Sequence, residues 1–186
     1  MIIQPHTLTL KDGRNVILRS PALSDAAACI AFMEQTARET YFLRRYPEEV
    51  ITDLQREEAF LLAGQEDPMG FILFAFDGEQ AVGSVNITSM GNKFKTRHRA
   101  GLGISTLQSY WGTGLGPALL QEALERAWAL EYEQVELGVF LDNVRASRLY
   151  ERFGFQPCGA IPRAFRLKDG TYRSEVQMVC YRPGLL

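Results

Sequence analysis

The chain has 186 residues, of which 46% are hydrophobic and 23% are charged. That length suffices for one hydrophobic core and is short for two domains, so we expect residues 1–186 to form a single domain. A net charge of −2 argues against a general nucleic-acid-binding protein, because phosphate binding needs a concentrated excess of lysine and arginine.

The chain also lacks the patterns of secreted, membrane and metal-binding proteins. Its start has no basic region followed by an apolar run, and no stretch of about eighteen apolar residues occurs. The cysteines Cys29, Cys158 and Cys180 are far apart, odd in number and outside any CxxC pair. This spacing indicates neither a disulfide framework nor a metal site. We expect a cytoplasmic protein with no membrane segment and no bound metal.

The first half of the chain predicts two hairpins separated by two helices. An Asp-Gly pair between alternating apolar residues is a strong hairpin signal, and it occurs at residues 12–13 and 77–78. Between the hairpins, the spacing of apolar residues predicts helices. In chain order, the predicted elements are strands over 7–10 and 15–19, helices over 26–35 and from after Thr52 to near Gly64, and strands over 71–76 and 80–88.

The second half alternates strands and helices. The clearest helix has apolar residues on one face, at Leu120, Ala123, Leu124 and Ala127. The predicted elements are a strand over 99–107, a helix over 117–130, a strand over 134–141, a helix over 143–153, and two strands around a turn at 168–170. This order predicts an α/β (α+β) fold, with a mixed β-sheet and helices on its faces.

Three glycines precede the predicted helix at 117. Gly112, Gly114 and Gly116 lie where unpaired backbone N–H groups and the positive end of the helix dipole favour an anion. A dinucleotide-binding GxGxxG motif would need glycine in place of Pro117, and a P-loop would need lysine followed by serine or threonine. The glycine-rich segment is therefore either a phosphate cradle of another kind or a tight turn without a ligand.

The glycine-rich segment resembles the GNAT superfamily of N-acetyltransferases, whose signature is Arg or Gln, two residues, Gly, one residue, then Gly or Ala. The three specified positions of the signature correspond to Trp111, Gly114 and Gly116 of this chain. Trp111 departs from the usual Arg or Gln, as it does in members resembling the ribosomal-protein N-terminal acetyltransferases. The resemblance runs from the first hairpin to the last strand. It implies the acyl-CoA N-acyltransferase fold, a mixed central sheet with helices on both faces, and acetyl-CoA as co-substrate.

The resemblance also implies which residues bind acetyl-CoA. Backbone groups near Leu102, Ile104 and Thr106 would hydrogen-bond the pantetheine and hold the thioester carbonyl. Gly101 and Gly103 agree with this, because glycine inside a strand often marks a close backbone approach, although tight packing is the alternative. The pyrophosphate would lie on Trp111, Gly112, Thr113, Gly114, Leu115 and Gly116.

A second motif runs from Asn143 to Phe155. Asn143 and Tyr150 are seven residues apart, so both are expected on one side of the predicted helix. The resemblance implies that Asn143 orients the cofactor and that the Tyr150 hydroxyl protonates the departing CoA thiolate. From the residues alone, Tyr150 can equally be a core aromatic residue.

The acceptor side is less defined. Many relatives carry a carboxylate in an Ala-acid-apolar-Gly-Ile pattern, but this chain has Gly101 at that place. Residues 34–67 carry nine acidic residues and four arginines, which favours a cationic small amine and equally fits a solvated helix face. Candidate acceptor residues are Glu39, Tyr41 and Glu48.

The sequence therefore predicts an N-acetyltransferase that transfers an acetyl group from acetyl-CoA to the primary amine of a small molecule, such as an amino acid or polyamine. The amine would attack directly in a ternary complex, since no cysteine lies near the motifs. The alternatives are a protein N-terminal acetyltransferase and a non-catalytic acyl-CoA-binding sensor. We expect no nucleic-acid or membrane partner, and a homodimer is compatible with the apolar last strand.

Overall fold

The structure is a computed structural model that describes residues 1–185. Within that range the chain forms eight β-strands and four α-helices. In order, they are β1 (His6–Thr9), β2 (Asn15–Arg19), α1 (Ala26–Glu39), α2 (Leu54–Glu66), β3 (Phe71–Asp77), β4 (Gln80–Ser89), β5 (Arg99–Thr106), α3 (Leu115–Ala129), β6 (Gln134–Phe140), α4 (Val144–Arg152), β7 (Gln156–Arg166) and β8 (Tyr172–Tyr181).

Every predicted strand and helix is present; strand ends differ by one residue, and the larger differences lie at helix ends. Helix α1 continues to Glu39, beyond the predicted end at 35. Helix α3 begins at Leu115, so Pro117 is its third residue and not its first. Short 3-10 turns at Leu23–Asp25, Pro47–Glu49 and Gln108–Tyr110 were not predicted, because three-residue turns carry little periodicity.

The chain divides into two compact units, each made of two stretches. The first unit comprises Met1–Thr88 and Gly103–Ala123, and the second comprises Ser89–Leu102 and the chain from Leu124 onwards. Strand β5 contributes residues to both units. Each unit is made of two stretches that are not consecutive in the sequence. The organisation as a single domain stays a prediction.

The first unit contains antiparallel strands in the order β1-β2-β3-β4, followed by the later residues of β5. Asp53 begins α2, because its carboxylate accepts the backbone N–H groups of Gln55 and Arg56 at 2.9 and 3.3 Å. The core combines apolar strand residues with side chains of α1 and α2. Its most buried members include Val16, Leu73, Ala75, Val82, Cys29 and Leu61.

Strand β4 packs closely on the first turns of α3. A methyl group at Gly83 would lie 2.9 Å from the Leu119 Cδ1 atom and 3.1 Å from the Leu115 Cδ2 atom. Leu115 and Leu119 are both fully buried. Only glycine lets the strand approach this closely, so the first turns of α3 are held firmly against the sheet.

The second unit contains the first residues of β5, followed by β6, β8 and β7. Strands β5 and β6 are parallel over Arg99–Gly101 and Gln134–Glu136, whereas the β6–β8 and β8–β7 pairs are antiparallel. Along β6, alternate residues are buried on the face that includes Val135, Leu137 and Val139. The predicted α/β class with a mixed sheet is confirmed. None of the helices formed by residues 1–185 is long and apolar enough to cross a membrane.

Candidate active site

The cradle loop, residues 111–114, leads directly into α3. Gly112 and Gly114 have φ angles of 80° and 95°, which side-chain-bearing residues rarely adopt. Among residues 1–185, no backbone N–H group of 112–114 donates a hydrogen bond to the protein. These N–H groups lie beside the N-terminus of a 15-residue helix, where the dipole is positive. The cradle loop is therefore suited to an anion such as a pyrophosphate.

Hydrogen bonds inside the first unit hold the cradle loop in shape. The buried Thr113 hydroxyl donates to the Tyr110 carbonyl at 2.7 Å, so this side chain serves the loop itself. The Tyr110 hydroxyl in turn donates to the Asp77 carboxylate at 2.6 Å. The Trp111 indole N–H donates to the Thr106 carbonyl at 3.3 Å, at the end of β5. A preformed loop needs little further ordering when it binds a ligand.

Lys11 is a cradle residue that sequence reasoning missed. Its backbone N–H donates to the Thr113 carbonyl at 2.9 Å. Its side chain runs past Gly114, where an added Cβ would lie 3.5 Å from the Lys11 Cγ and Cε atoms. The ammonium group therefore adds positive charge close to the free N–H groups. No local signal identifies Lys11, because it lies in the β1–β2 turn, far from the cradle loop in sequence.

Arg14 holds the β1–β2 turn against the segment before the cradle loop. Its guanidinium lies over the Tyr110 ring, 3.9 Å from the centroid, and donates to the Ser109 carbonyl at 2.9 Å. Asp12 accepts from the same guanidinium at 2.7 Å, and this hydrogen bond lowers the pKa of Asp12. Arg14 thus explains how Lys11 comes to lie at the cradle.

The β5 residues expected to bind pantetheine, Leu102, Ile104 and Thr106, are all half-buried. Gly103 has a packing reason to be glycine, because an added Cβ would lie 2.5 Å from the Asn86 Oδ1 atom. A side chain at 103 would displace the Asn86 amide, which is one reason for glycine at this position. The cofactor role of these residues stays a prediction.

Tyr150 lies near the end of α4 in the second unit and is 8% exposed. Its ring packs against Phe155, with 5.8 Å between centroids. Burial raises the pKa of Tyr150 to about 12. No group among residues 1–185 forms a hydrogen bond with its hydroxyl. The side chain is thus both a core aromatic residue and a protonated hydroxyl that can act as a donor.

Asn143 is the N-cap of α4. Its Oδ1 atom accepts the Ala146 backbone N–H at 3.2 Å, and its carbonyl accepts the Ser147 hydroxyl at 3.1 Å. Because α4 begins at Val144, Asn143 precedes the helix, and the predicted same-side relation to Tyr150 does not follow from helical spacing. Its predicted contact with the cofactor stays a prediction.

The three candidate acceptor residues differ in their surroundings. The Glu39 carboxylate accepts the Gln108 backbone N–H at 2.7 Å and the Gln35 amide at 2.9 Å, so it fixes the turn that precedes the cradle loop. Tyr41 is 42% exposed, and its ring packs on Phe42 with 4.4 Å between centroids. Glu48 is exposed in a 3-10 turn. Their acceptor roles stay predictions.

Within the described part of the chain, no three His, Cys, Asp or Glu side chains cluster in a way that could hold a metal ion. Burial also raises the pKa of the Cys29 thiol to about 12, which leaves it protonated and a poor nucleophile. The groups available for chemistry are therefore backbone N–H groups, cationic side chains, a tyrosine hydroxyl and carboxylates.

Comparison with known proteins identifies the family. Residues 30–155 match the model of the acetyltransferase (GNAT) family. An L-amino acid N-acetyltransferase, AaaT, from Escherichia coli (strain K12) is 29% identical over 103 residues, which cover 54% of this chain and 61% of that protein. The matched part thus spans less than two thirds of that relative.

Solved structures share the fold. An acetyltransferase of the GNAT family from Streptococcus pneumoniae is 28% identical with a TM-score of 0.84, over 90% of this chain and 99% of its own. The putative acetyltransferase yncA from Salmonella typhimurium, solved with its cofactor acetyl-CoA, is 17% identical with a TM-score of 0.77, over 92% and 99% of the two chains. Because the family model covers more than half of the sequence, this chain belongs to the acetyltransferase (GNAT) family.

Proposed function

We propose that the protein transfers the acetyl group of acetyl-CoA to the primary amine of a small molecule, such as an amino acid or polyamine. The cradle loop carries this proposal: two glycines with positive φ, free N–H groups and the start of α3 form a site for the CoA pyrophosphate. Lys11 supplies a positive charge beside it. Acetyl-CoA supplies a thioester whose carbonyl carbon is open to attack by an amine.

Tyr150 is proposed as the acid that protonates the CoA sulfur. An acid must hold its proton until the C–S bond breaks, and a hydroxyl with a pKa of about 12 is protonated at neutral pH. A free thiol has a pKa of about 8.5, so complete proton transfer from a hydroxyl with a pKa of about 12 to the free thiolate is unfavourable. Tyr150 therefore stabilises the departing thiolate first as a hydrogen-bond donor.

A small amine as acceptor is supported by two observations. The curated relative is named for acting on L-amino acids. Residues 34–67 also carry more acidic than basic side chains, which would attract a cationic amine. The candidate acceptor residues Glu39, Tyr41 and Glu48 remain part of this proposal, together with a cytoplasmic location.

The test measures thiol release from acetyl-CoA by the purified protein with a panel of amino acids, polyamines, aminoglycosides and short peptides. Release with a small amine, and loss of that release in a Gly114→Glu variant, supports the proposal. Release with peptides alone would replace this proposal by N-terminal protein acetylation, the alternative suggested by tryptophan at position 111 of the signature. Binding of acetyl-CoA without release from any amine replaces it by an acyl-CoA sensor.

A homodimer is also proposed, because edge strand β7 is exposed along most of its length. An unpaired strand edge offers backbone groups to a second strand. Light scattering during size-exclusion chromatography measures the mass directly, and a mass of one chain at micromolar concentration would refute the dimer.

A further inference from the structure

Arg45 and Glu57 are oppositely charged residues of the first unit that lie away from bulk solvent. Arg45 is in the segment between α1 and α2, and its Nε atom is enclosed with no hydrogen-bond partner in the described range. Glu57 is in the first turn of α2, and 8% of its surface is exposed. Neither side chain forms a hydrogen bond or an ion pair with any of residues 1–185. Charged groups are seldom buried in this way without a partner or a ligand.

The segment that carries Arg45 is anchored to α1 on both sides of the arginine. Leu43 packs against a cluster that Val50 forms with Ile30 and Ala37 of α1. Leu43 precedes Arg45 by two residues, and Val50 follows it by five. The position of Arg45 is therefore set by apolar packing of its neighbours and not by a partner for its guanidinium.

Helix α2 holds Glu57 in a comparable way. Glu57 and Leu61 are four residues apart, so they lie on the same side of the helix, and Leu61 is only 1% exposed. The Glu57 backbone N–H donates to the Asp53 carbonyl at 3.1 Å, in the turn that the Asp53 side chain caps. The carboxylate thus projects from the packed side of α2. Charges held in place before a ligand arrives need little ordering when it binds.

The two charges are close enough to act on each other through space. Burial raises the pKa of Glu57, and the positive charge of Arg45 opposes that rise. Burial lowers the pKa of Arg45, and the negative charge of Glu57 opposes that fall. The guanidinium and the carboxylate therefore face one buried region from different segments of the unit.

Other arginines of the first unit contact their carboxylates directly. Arg19 donates to both oxygens of Asp25, at 2.5 and 3.0 Å, and Arg14 donates to Asp12 at 2.7 Å. Burial of an ionised group is unfavourable unless a hydrogen-bonding partner compensates it. The separation of Arg45 from Glu57 thus suits a polar molecule between them, with an anionic group for one and a cationic group for the other.

We propose that Arg45 and Glu57 bind the acceptor as a zwitterionic α-amino acid, a role that rests on the proposed acetyl transfer. The guanidinium takes the α-carboxylate, because its planar N–H groups match two carboxylate oxygens. Glu57 takes the α-ammonium group. A polyamine has no anionic group to offer Arg45, so this pair selects amino acids over polyamines.

The first test measures whether the wild type recognises the acceptor carboxylate. Each of the twenty L-amino acids is compared with its α-amide, which keeps the ammonium group and lacks the negative charge. We expect the preferred amino acid to exceed its amide by about 10- to 100-fold in kcat/KM, the range for loss of a hydrogen bond to a charged group. A ratio within about threefold, or acetylation of polyamines alone, would overturn the site and leave acetyl transfer standing.

Arg45→Met removes the charge and keeps much of the side-chain length. In this variant the ratio of amino acid to amide should fall to within about threefold, with the Kd of acetyl-CoA unchanged. The matched control is Arg44→Met, at the exposed neighbouring position, which should keep the wild-type ratio. If Arg45 only supports the fold, Arg45→Met lowers activity on both compounds equally, and that result refutes carboxylate binding.

Glu57→Gln tests the other half of the site. The amino acid and its amide both carry the ammonium group, so KM should rise about tenfold or more for both, and their ratio should stay as in the wild type. Glu58→Gln, at an exposed position of α2, is the control and should leave both KM values unchanged. Values for Glu57→Gln within about twofold of the wild type would exclude Glu57 as the ammonium partner.

A binding measurement on the wild type keeps the site testable if the variants do not fold. Calorimetry measures the Kd of each amino acid and of its amide in the presence of coenzyme A, which has no acetyl group to transfer. An amino acid that binds at least about tenfold more tightly than its amide supports the site. If such binding occurs and no amine is acetylated, the proposed function fails while the site stands. Equal binding of the two compounds, or binding of neither, contradicts the site.

Discussion

Replacing Tyr150 by phenylalanine removes a hydroxyl and little else. The ring is 8% exposed and packs 5.8 Å from the Phe155 ring, contacts that phenylalanine can keep. No protein group among residues 1–185 loses a hydrogen bond, so we expect a change in unfolding free energy of about 1 kcal/mol or less. Effects on turnover can then be assigned to chemistry and not to unfolding.

Loss of a positioned proton donor lowers turnover by about 10- to 1,000-fold, which corresponds to about 1.4 to 4 kcal/mol of activation free energy. The assay measures thiol release at saturating acetyl-CoA and amine, and calorimetry measures the Kd of acetyl-CoA separately. Tyr181→Phe is the matched control, because that tyrosine lies at the end of β8 and is 40% exposed. Turnover of Tyr150→Phe within about twofold of the control would refute the role of Tyr150 as acid.

The raised pKa of Tyr150 makes the stability of the protein depend on pH, which tests the burial of its hydroxyl. Burial raises this pKa from 10.0 to about 12, so the native state holds the proton more tightly than the unfolded chain does. The resulting stability is complete below the unfolded pKa and is lost as the pH rises through the native pKa. Between about pH 9 and pH 11, Tyr150→Phe should therefore lose less stability than the wild type, by on the order of 1 kcal/mol. Parallel losses in urea unfolding would contradict this reasoning.

Three further predictions concern the cradle and the cysteines. Gly114→Glu should weaken acetyl-CoA binding by more than about 100-fold in calorimetry, because a side chain is strained at a φ of 95° and the new carboxylate repels phosphate. The control is Gly170→Glu, which has a φ of 82° in an open turn and should bind acetyl-CoA normally. Lys11→Glu should weaken binding by about tenfold at low salt and by less at high salt, and a salt-independent Kd would exclude a charge effect. At pH 8, iodoacetamide should modify the exposed Cys158 and spare Cys29, because burial raises the pKa of the Cys29 thiol to about 12. Mass spectrometry measures the labelling of each cysteine, and equal labelling in the native state would contradict the burial of Cys29.

Local patterns explain why so much of the fold could be predicted. The Asp-Gly turns, the alternation along β6 and the apolar face of α3 each depend on residues within one short segment. The cradle was predictable for the same reason, because Gly112 and Gly114 are neighbours of the helix that they precede. The errors fell at helix ends, where α1 gained a turn and α3 began earlier, since capping depends on contacts outside the helix.

The sequence by itself determined the order of strands and helices, the family signature and the placement of Tyr150 on α4. Only the tertiary structure decided that Lys11 lies beside Gly114, that Asn143 caps α4, and that Arg45 lies near Glu57. The physical reason is that the Lys11 and Arg45 relations depend on strand register and on packing between separate segments. A residue's neighbours across a sheet are set by which strands pair and with what offset, and no short stretch of sequence contains that information.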